Sequence, residues 1–189
     1  MKDQTRTHII QTASELFYSK GYNLTGINEI IAKAGIAKAT LYSHFRSKED
    51  LCIAYLDARD QELLEEIEQF CSKRNKGNDQ LIAVLEFLIP FFKTRKFNGC
   101  WCIRTAAEIP RENKKIKAKI RQNKTQFLSF IENLVKRNKG RMKQQRQEAL
   151  ARKIYLLYEG AVTESHLQQK DWPIHENIDI LKGILNYKS

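Results

Sequence analysis

Residues 25–51 constrain the fold of this chain more than any other stretch of the sequence. Before Gly35, apolar residues recur at the spacing of one helix face: Ile27, Ile30, Ile31 and Ala34. After it, Leu41 and Phe45 lie four residues apart, so both would point to the same side of a helix. Gly35 can adopt the left-handed conformation that ends a helix and begins a tight turn. The stretch therefore predicts two short helices joined by a turn, with Thr25 as the N-terminal cap of the first.

Two short helices joined by such a turn form a helix-turn-helix, whose second helix lies in a DNA major groove. Burial of Leu41 and Phe45 would leave the opposite face of the second helix in solvent. That outward face would carry Lys38, Tyr42 and Ser43, and ammonium and hydroxyl groups of this kind contact phosphates and bases. The spacing alone is equally compatible with an ordinary antiparallel helix pair.

The residues of the second helix carry a family resemblance. Residues 37–51, AKATLYSHFRSKEDL, closely resemble the recognition segment of the TetR family of transcriptional regulators. Upstream residues fit the first two helices of that family as well: Ala13, Leu16, Phe17, Gly21, Tyr22, Thr25, Ile27, Ile30, Ala34 and Gly35. The resemblance implies an all-α homodimer that binds palindromic operator DNA through a three-helix head and carries a helical body.

The resemblance also implies which residues of the head contact DNA: Thr25, Lys38, Ala39, Thr40, Tyr42, His44 and Lys48. Thr25 and Lys48 would hold phosphates, together with helix N-termini, while Lys38 and Thr40 would read bases. The small side chain of Ala39 would leave space for a thymine methyl group.

Every long segment has helical periodicity, which predicts about nine helices in two domains. The predicted helices cover residues 5–19, the pair within 25–46, 47–72, 79–93, 100–110, a basic helix ending near 138, 145–169 and a last helix after Pro173. Gly21 would end the first helix, and Ser47 would cap the long helix 47–72. Pro90 would kink or shorten the helix predicted over 79–93. The predicted domains are a DNA-binding head, residues 1–47, and a ligand-binding and dimerisation domain, residues 48–189.

Aromatic residues are concentrated in the middle of the chain, and most of them must form the core. The resemblance implies that a subset lines a pocket for a small apolar or aromatic effector: Phe70, Cys71, Phe87, Phe91, Trp101, Phe127, Tyr155 and Tyr158. Effector binding near Trp101 would act on the long helix at Phe70 or Cys71, tilt it and release the operator, as in a repressor. Helix 145–169 has two apolar faces, and the predicted dimer interface comprises Gly160, Ala161, Leu181 and Leu185.

The net charge of +11 is unevenly distributed. Residues 1–50 hold seven Lys or Arg against five Asp or Glu, whereas residues 111–153 hold fifteen against three. The basic excess therefore lies outside the segment predicted to read DNA. A solvated helix face explains it, and long-range attraction to DNA or to an anionic ligand is the alternative.

The sequence also bounds the class of protein. No apolar run approaches the ~18 residues of a membrane span, and the N-terminus has no signal-peptide core, so a cytoplasmic protein with reduced thiols is expected. Cys100 and Cys102 are expected to pack as small hydrophobes, with redox chemistry as the alternative. The four histidines form no HExxH pair, and there is no phosphate loop or GxSxG elbow. We expect no enzyme activity, cofactor or metal; the rival function is a constitutive helical adaptor without an effector.

Overall fold

The computed structural model describes residues 2–94 and 97–186, and within these ranges all regular structure is helical. The helices are α1 Lys2–Lys20, α2 Ile27–Ala34, α3 Lys38–His44, α4 Lys48–Ser72, α5 Asn78–Glu86, α6 Leu88–Lys93, α7 Trp101–Glu108, α8 Lys114–Asn138, α9 Gln144–Gln168 and α10 Trp172–Asn186. Only Phe87 separates α5 from α6, and its φ of −54° and ψ of −31° are helical. Counted as one interrupted helix, this pair gives nine helices in the described residues. The all-α prediction is confirmed. Arg95 and Lys96 of the predicted loop lie outside the described residues.

Pro90 accounts for the interruption between α5 and α6. A proline has no N–H, so the carbonyl of Glu86, four residues earlier, loses its helical donor, and the proline ring crowds that carbonyl. The regular helix α5 ends at Glu86, which confirms the predicted interruption.

Helix caps follow the sequence prediction at three ends. Gly21 and Gly35 end α1 and α2 with φ of +96° and +63°. The Ser47 hydroxyl oxygen accepts the N–H of Asp50 at 3.0 Å and so caps α4. The prediction for Thr25 is wrong, because Gly26 occupies the cap position of α2 without any side-chain bond.

The chain divides into two compact units. Unit 1 comprises Met1–Glu62 and Trp101–Asn123, and unit 2 comprises Leu63–Cys100 and Lys124–Ser189. Helices α4 and α8 each contribute residues to both units. These units are defined by packing, and the functional division at residue 47 stays a prediction.

Unit 1 has a core formed by the head helices together with parts of α4, α7 and α8. Its fully buried side chains include Ile9, Ile30, Leu41, Leu51, Leu56 and Ile116. The His8 ring lies 3.0 Å from the Ala34 carbonyl oxygen through Nε2, which braces α1 against the end of α2. Burial of these apolar side chains is the main favourable term that holds the unit together.

Unit 2 is organised around α5, α9 and α10, which pack against one another. Its fully buried side chains include Leu81, Leu85, Leu88, Ile131, Ile154, Ile174 and Leu181. The Asn138 side chain joins α8 to the start of α5, since its Oδ1 accepts the Gly77 N–H at 2.6 Å and its Nδ2 donates to Gln80 Oε1 at 2.9 Å. None of the helices in the described part of the chain is long and apolar enough to cross a membrane.

Candidate nucleic-acid interface

The helix-turn-helix lies entirely within unit 1. Gly35 adopts the left-handed conformation, with its N–H directed at the Ala32 carbonyl, and the Ile36 N–H donates to the Ile31 carbonyl at 3.3 Å. These two bonds form a Schellman motif, which ends α2 and redirects the chain into α3. The predicted turn is confirmed.

One face of α3 is apolar and packed, and the opposite face is in solvent. Leu41 is fully buried and Phe45, directly after the helix, is 3% exposed. Lys38, Ala39 and Tyr42 are exposed, and Tyr42 keeps 44% of its surface. An ammonium, a methyl group and a phenol on one exposed face can contact phosphates and base edges.

Thr40 and His44 lie at the border of that face and are half-buried. The Thr40 carbonyl oxygen accepts the Ser43 hydroxyl at 2.8 Å. The His44 ring centroid lies 6.4 Å from that of Phe45. Their role in DNA contact stays a prediction.

Thr25 is fully buried, and its hydroxyl donates to the Gly21 carbonyl at 2.7 Å. The side chain therefore fixes the loop between α1 and α2 and offers no exposed group. A phosphate contact at Thr25 would have to come from its backbone amide.

Lys48 begins α4 and is half-buried. Its Nζ lies 4.4 Å from the centroid of the Tyr22 ring, a cation–π contact that holds the ammonium in place. Burial lowers the pKa of Lys48 from its ordinary value, and the Glu108 carboxylate opposes this shift only in part. A positioned ammonium at the positive end of a helix suits a phosphate.

The sequence did not predict two further features of unit 1. Arg46 is exposed between α3 and α4, and its position two residues before Lys48 is the signal that could have identified it. Glu108, at the end of α7, holds the loop after α1: its Oε2 accepts the Asn23 N–H at 2.7 Å, and its carbonyl accepts Asn23 Nδ2 at 2.7 Å. No local pattern could reveal a bond between residues 85 positions apart.

Seven of the eight predicted effector residues lie in unit 2, and six of them are aromatic. Phe70, Phe87 and Phe91 form one chain of rings, with centroids 5.7 Å and 6.1 Å apart. Phe127 forms a second group with the two tyrosines, its centroid lying 6.0 Å from Tyr155 and 4.7 Å from Tyr158. Cys71 is buried, and its pKa is raised to about 12 by burial. Ring packing of this kind builds a core and also suits the wall of an apolar cavity.

Trp101, the eighth candidate, belongs to unit 1 and is 6% exposed. Its ring lies edge-on to Tyr18 of α1, with centroids 6.4 Å apart, and the Arg59 guanidinium of α4 lies 5.0 Å above it. Among the described residues, the indole Nε1 has no hydrogen-bond partner. Trp101 therefore lies beside α4 at Arg59, whereas the sequence predicted that an effector near Trp101 acts on the long helix at Phe70 or Cys71.

A polar cleft of about 540 Å³ also lies in unit 2. Its lining residues are Lys73, Arg74, Asn75, Asp79, Ile82, Glu86 and Lys182. None of the eight predicted effector residues lines it, and its charged walls are unsuited to an apolar ligand.

The four predicted interface residues differ in exposure. Ala161 and Leu181 are fully buried inside their own protomer and leave no surface for a partner. Gly160 and Leu185 are half-buried, and a Cβ at Gly160 would meet no atom within 4 Å. Only Gly160 and Leu185 of the predicted set can therefore reach a second subunit.

The four cysteines are free thiols, and none is paired with another. Burial raises the pKa of Cys52 to about 12, as it does for Cys71, so both stay protonated at neutral pH. Cys102 is buried within α7, in agreement with the predicted packing role. Cys100 precedes that helix, with its Sγ 3.1 Å from Lys124 Nζ.

Comparison with known proteins places this head among bacterial regulators. The family described as "Bacterial regulatory proteins, tetR family" matches residues 9–55. The HTH-type transcriptional activator FasR of Mycolicibacterium smegmatis is 32% identical over 92 residues, which cover 49% of this chain and 42% of FasR. The HTH-type transcriptional repressor NemR of Escherichia coli is 28% identical over 110 residues, 56% of this chain and 54% of NemR. The chain thus spans about half the length of these relatives.

The likeness of fold extends over nearly the whole chain. The structure of SCO4454, a TetR-family transcriptional regulator from Streptomyces coelicolor, superposes with a TM-score of 0.83 at 25% identity, covering 96% of this chain and 88% of SCO4454. The family model thus matches residues 9–55, whereas the likeness of fold to SCO4454 covers 96% of this chain.

Proposed function

This chain belongs to the TetR family of bacterial regulatory proteins, and from that premise we propose that it binds a palindromic operator as a homodimer and represses transcription until a small effector releases it. The observation that carries the proposal is the arrangement of α2, the Gly35 turn and α3, with Leu41 buried beneath an exposed face. A helix held in this way can enter a major groove without unfolding any part of the core.

Beside and within the head, some residues hold the protein on the phosphate backbone and others read the base sequence. Lys48, held on the Tyr22 ring, is placed for a phosphate, and the exposed Arg46 lies near it in sequence. Lys38 and Thr40 read bases, while Ala39 accommodates a thymine methyl group. Tyr42 and His44 complete the contact face.

The dimer is formed by the outer faces of α9 and α10. Leu156 and Leu167 are 66% and 69% exposed on α9, and Gly160 lies on the same helix face between them. On α10, Ile180 is 49% exposed. Exposed apolar side chains aligned in this way mark a surface that another protein covers. Two-fold pairing of this surface would present two heads to two half-sites.

The effector is apolar or aromatic and binds beside the aromatic groups of the body. Its binding is coupled to DNA through α4, which begins at Lys48 and extends to Ser72. A ligand that favours one orientation of α4 shifts the equilibrium toward heads that no longer match both half-sites. Support for repression comes from NemR, which is a repressor, whereas FasR is an activator.

Selection from a random duplex library tests the DNA-binding part of the proposal. Purified chain should enrich duplexes with an inverted repeat whose half-sites lie about 34–36 Å apart or a multiple of that distance. A reporter downstream of the selected site should lose expression when the chain is present. Enrichment of no common sequence would reject a sequence-specific regulator, and increased expression would make the chain an activator.

The effector part is tested with an indole reporter. Trp172→Phe removes the exposed tryptophan and leaves the buried Trp101, so emission then reports on Trp101 and its contacts with Tyr18 and Arg59. Candidate apolar ligands should change this emission at the concentrations that release the selected duplex. Trp101→Ala should keep DNA binding but need more ligand for release. Equal release from both proteins, without any change of emission, would place the effector elsewhere.

A further inference from the structure

The turn between α7 and α8, together with the start of α8, supplies the net charge of unit 1. Outside residues 111–123, unit 1 contains nine Lys or Arg and nine Asp or Glu, so it has no net charge there. Residues 111–123 add six basic residues and one acidic residue. The part of unit 1 that includes the helix-turn-helix is therefore neutral, although its proposed partner is a polyanion. The attraction expected between the unit and DNA must come from this turn and the start of α8.

We name residues 110–117 the α7–α8 corner, and this corner has a defined backbone. The Asn113 N–H donates to the Pro110 carbonyl at 3.1 Å, and Asn113 Oδ1 accepts the N–H of Ile116 at 3.0 Å. Lys117 Nζ donates to the Arg111 carbonyl at 2.7 Å. Ile116 is fully buried in the core of unit 1. The basic side chains of the corner are thus presented from a fixed support.

The corner is attached to the first turn of α4. Lys115 Nζ lies 3.3 Å from Glu49 Oε2, and Glu49 directly follows Lys48, the proposed phosphate contact. A second ion pair, Lys119 Nζ to Asp57 Oδ1 at 2.7 Å, joins the two helices farther along. These bonds place the corner beside the helix terminus that is proposed to lie on the DNA backbone.

Lys115 and Lys117 have partners within the protein, but fold stability does not explain Arg111 and Lys114. The first turn of α8 contains no acidic residue but begins with Lys114 and Lys115, where the helix dipole disfavours positive charge. Lys114 and Arg111 are exposed, and among the described residues neither side chain has an acidic partner. An anion outside the protein would supply the acidic partner that these two side chains lack.

We propose that the α7–α8 corner is a second DNA-contacting surface, on which Arg111 and Lys114 bind phosphates of the same duplex that α3 reads. This inference rests on the proposed function, which supplies the duplex. Contacts to phosphates carry no sequence information. The corner therefore strengthens binding to every duplex by the same factor and makes binding more sensitive to salt.

The experiment compares two double variants that each remove one arginine and one lysine. Arg111→Gln with Lys114→Gln alters the corner, and Arg141→Gln with Lys143→Gln removes the same charges from exposed positions in unit 2. Binding is measured by fluorescence anisotropy on the duplex selected by the wild-type chain and on a scrambled duplex of equal length. Salt is varied from about 50 to 200 mM, the range in which phosphate contacts change affinity steeply.

The corner variant should bind both duplexes more weakly by the same factor. Its slope of log affinity against log salt should fall by about 0.9 for each phosphate that the variant no longer neutralises. The control variant should match the wild type. Lys114 and Lys115 both lie in the first turn of α8, where the helix dipole disfavours positive charge. The corner variant keeps only Lys115 there, so it should unfold at a temperature no lower than that of the wild type.

Three outcomes overturn the inference. If the corner variant binds like the wild type, the corner does not contact DNA, and an acidic protein becomes the better partner. If both variants bind DNA equally weakly, the net charge of the protein sets the affinity and the corner makes no specific contact with the phosphates. If only the selected duplex is affected, the corner reads sequence. A wild-type chain that shows no preference for the selected duplex contradicts the proposed function instead, and the scrambled duplex still tests the corner.

Discussion

Gly21 and Gly35 both end a helix with positive φ, yet the space around them differs. A Cβ on Gly21 would overlap the Glu108 carboxylate, whereas a Cβ on Gly35 would meet no atom within 4 Å. Gly21 therefore has two reasons to be glycine, its backbone conformation and its neighbour. Gly35 has only the first.

We predict that Gly21→Ala destabilises the fold more than Gly35→Ala. The left-handed conformation costs an alanine about 1–2 kcal/mol at either position. At Gly21 the Glu108 carboxylate must also move, which weakens its bond to the Asn23 N–H and adds about 1 kcal/mol or more. Urea unfolding of both variants measures the difference. Repeating the Gly21 change in a Glu108→Ala background should remove the additional destabilisation, and equal destabilisation in the wild-type background would contradict this explanation.

A second prediction at this scale concerns Tyr42, which is 44% exposed. Tyr42→Ala changes a side chain on the exposed face of α3, so the free energy of unfolding should change by less than about 0.5 kcal/mol. Affinity for the selected duplex should nevertheless fall. Circular dichroism and anisotropy on one preparation check both expectations. Wild-type affinity in the variant would remove Tyr42 from the interface.

The sequence predicts single residues well where a backbone requirement or a helix period fixes them. Gly35, Leu41 and Ser47 are in this group. It fails for Thr25, because a hydroxyl before a helix can cap it or bond elsewhere, and only the fold places the Gly21 carbonyl within 2.7 Å. The sequence cannot predict the contact between Glu108 and Asn23 either, because only the fold brings these two residues together.

At the scale of helices, α4 and α8 are joined in unit 2 by a bidentate ion pair between Glu68 and Arg137, with both N···O distances 2.8 Å. The hydrogen bond from Arg137 is the main cause that lowers the pKa of Glu68 below its ordinary value of 4.5. A carboxyl with a lowered pKa stabilises the fold above its ordinary pKa and loses that effect as the pH falls through its folded-state pKa.

We therefore predict a small, pH-dependent cost for Glu68→Gln. The side chains are 43% and 54% exposed, so the destabilisation at neutral pH should stay below about 1 kcal/mol. The difference from wild type should shrink as the pH falls below 4.5. Thermal unfolding across that range measures it, with Glu65→Gln, an exposed neighbour in α4, as the control. A cost that persists at low pH would show that the ion pair is not its source.

The dimer interface is tested at Gly160 of α9. Open space around a Cβ there means that Gly160→Phe can be accommodated by the protomer itself. The variant should keep its helical content but become monomeric in light scattering, since the new ring would occupy the proposed contact. Gly160→Ala should stay dimeric and gain up to about 1 kcal/mol of stability from better helix propensity. A fully dimeric Gly160→Phe protein would move the interface off this face.

Across the whole molecule, periodicity and family resemblance predict the all-α class and the helix-turn-helix because both depend on local patterns. These patterns do not predict which apolar side chains of α9 and α10 are buried within the protomer and which remain exposed to a partner. Ala161 and Leu181 lie on apolar stripes, yet burial within the protomer and burial at an interface leave the same stripe in a sequence. The grouping of residues 101–123 with the head is likewise a property of the fold alone.

This grouping changes the meaning of the net charge. In sequence order the basic excess lies far from the recognition helix, and a solvated face is sufficient to explain it. In the folded chain, Lys115 is paired with Glu49 at the start of α4, so part of that excess belongs to unit 1, which contains the helix-turn-helix. Under the two proposals, α3 reads the base sequence, while Lys48 of α4 and the α7–α8 corner bind phosphates.

The most direct test of the central claim is the ratio of two affinities at one salt concentration. Wild-type chain should bind its selected duplex at least about 10³-fold more tightly than a scrambled duplex of the same length, as specific regulators do. Lys38→Ala should lower this ratio, by about 1–3 kcal/mol in free energy for the base that is no longer read. A wild-type ratio near one, or a ratio that Lys38→Ala leaves unchanged, would contradict the claim that the exposed face of α3 reads DNA sequence.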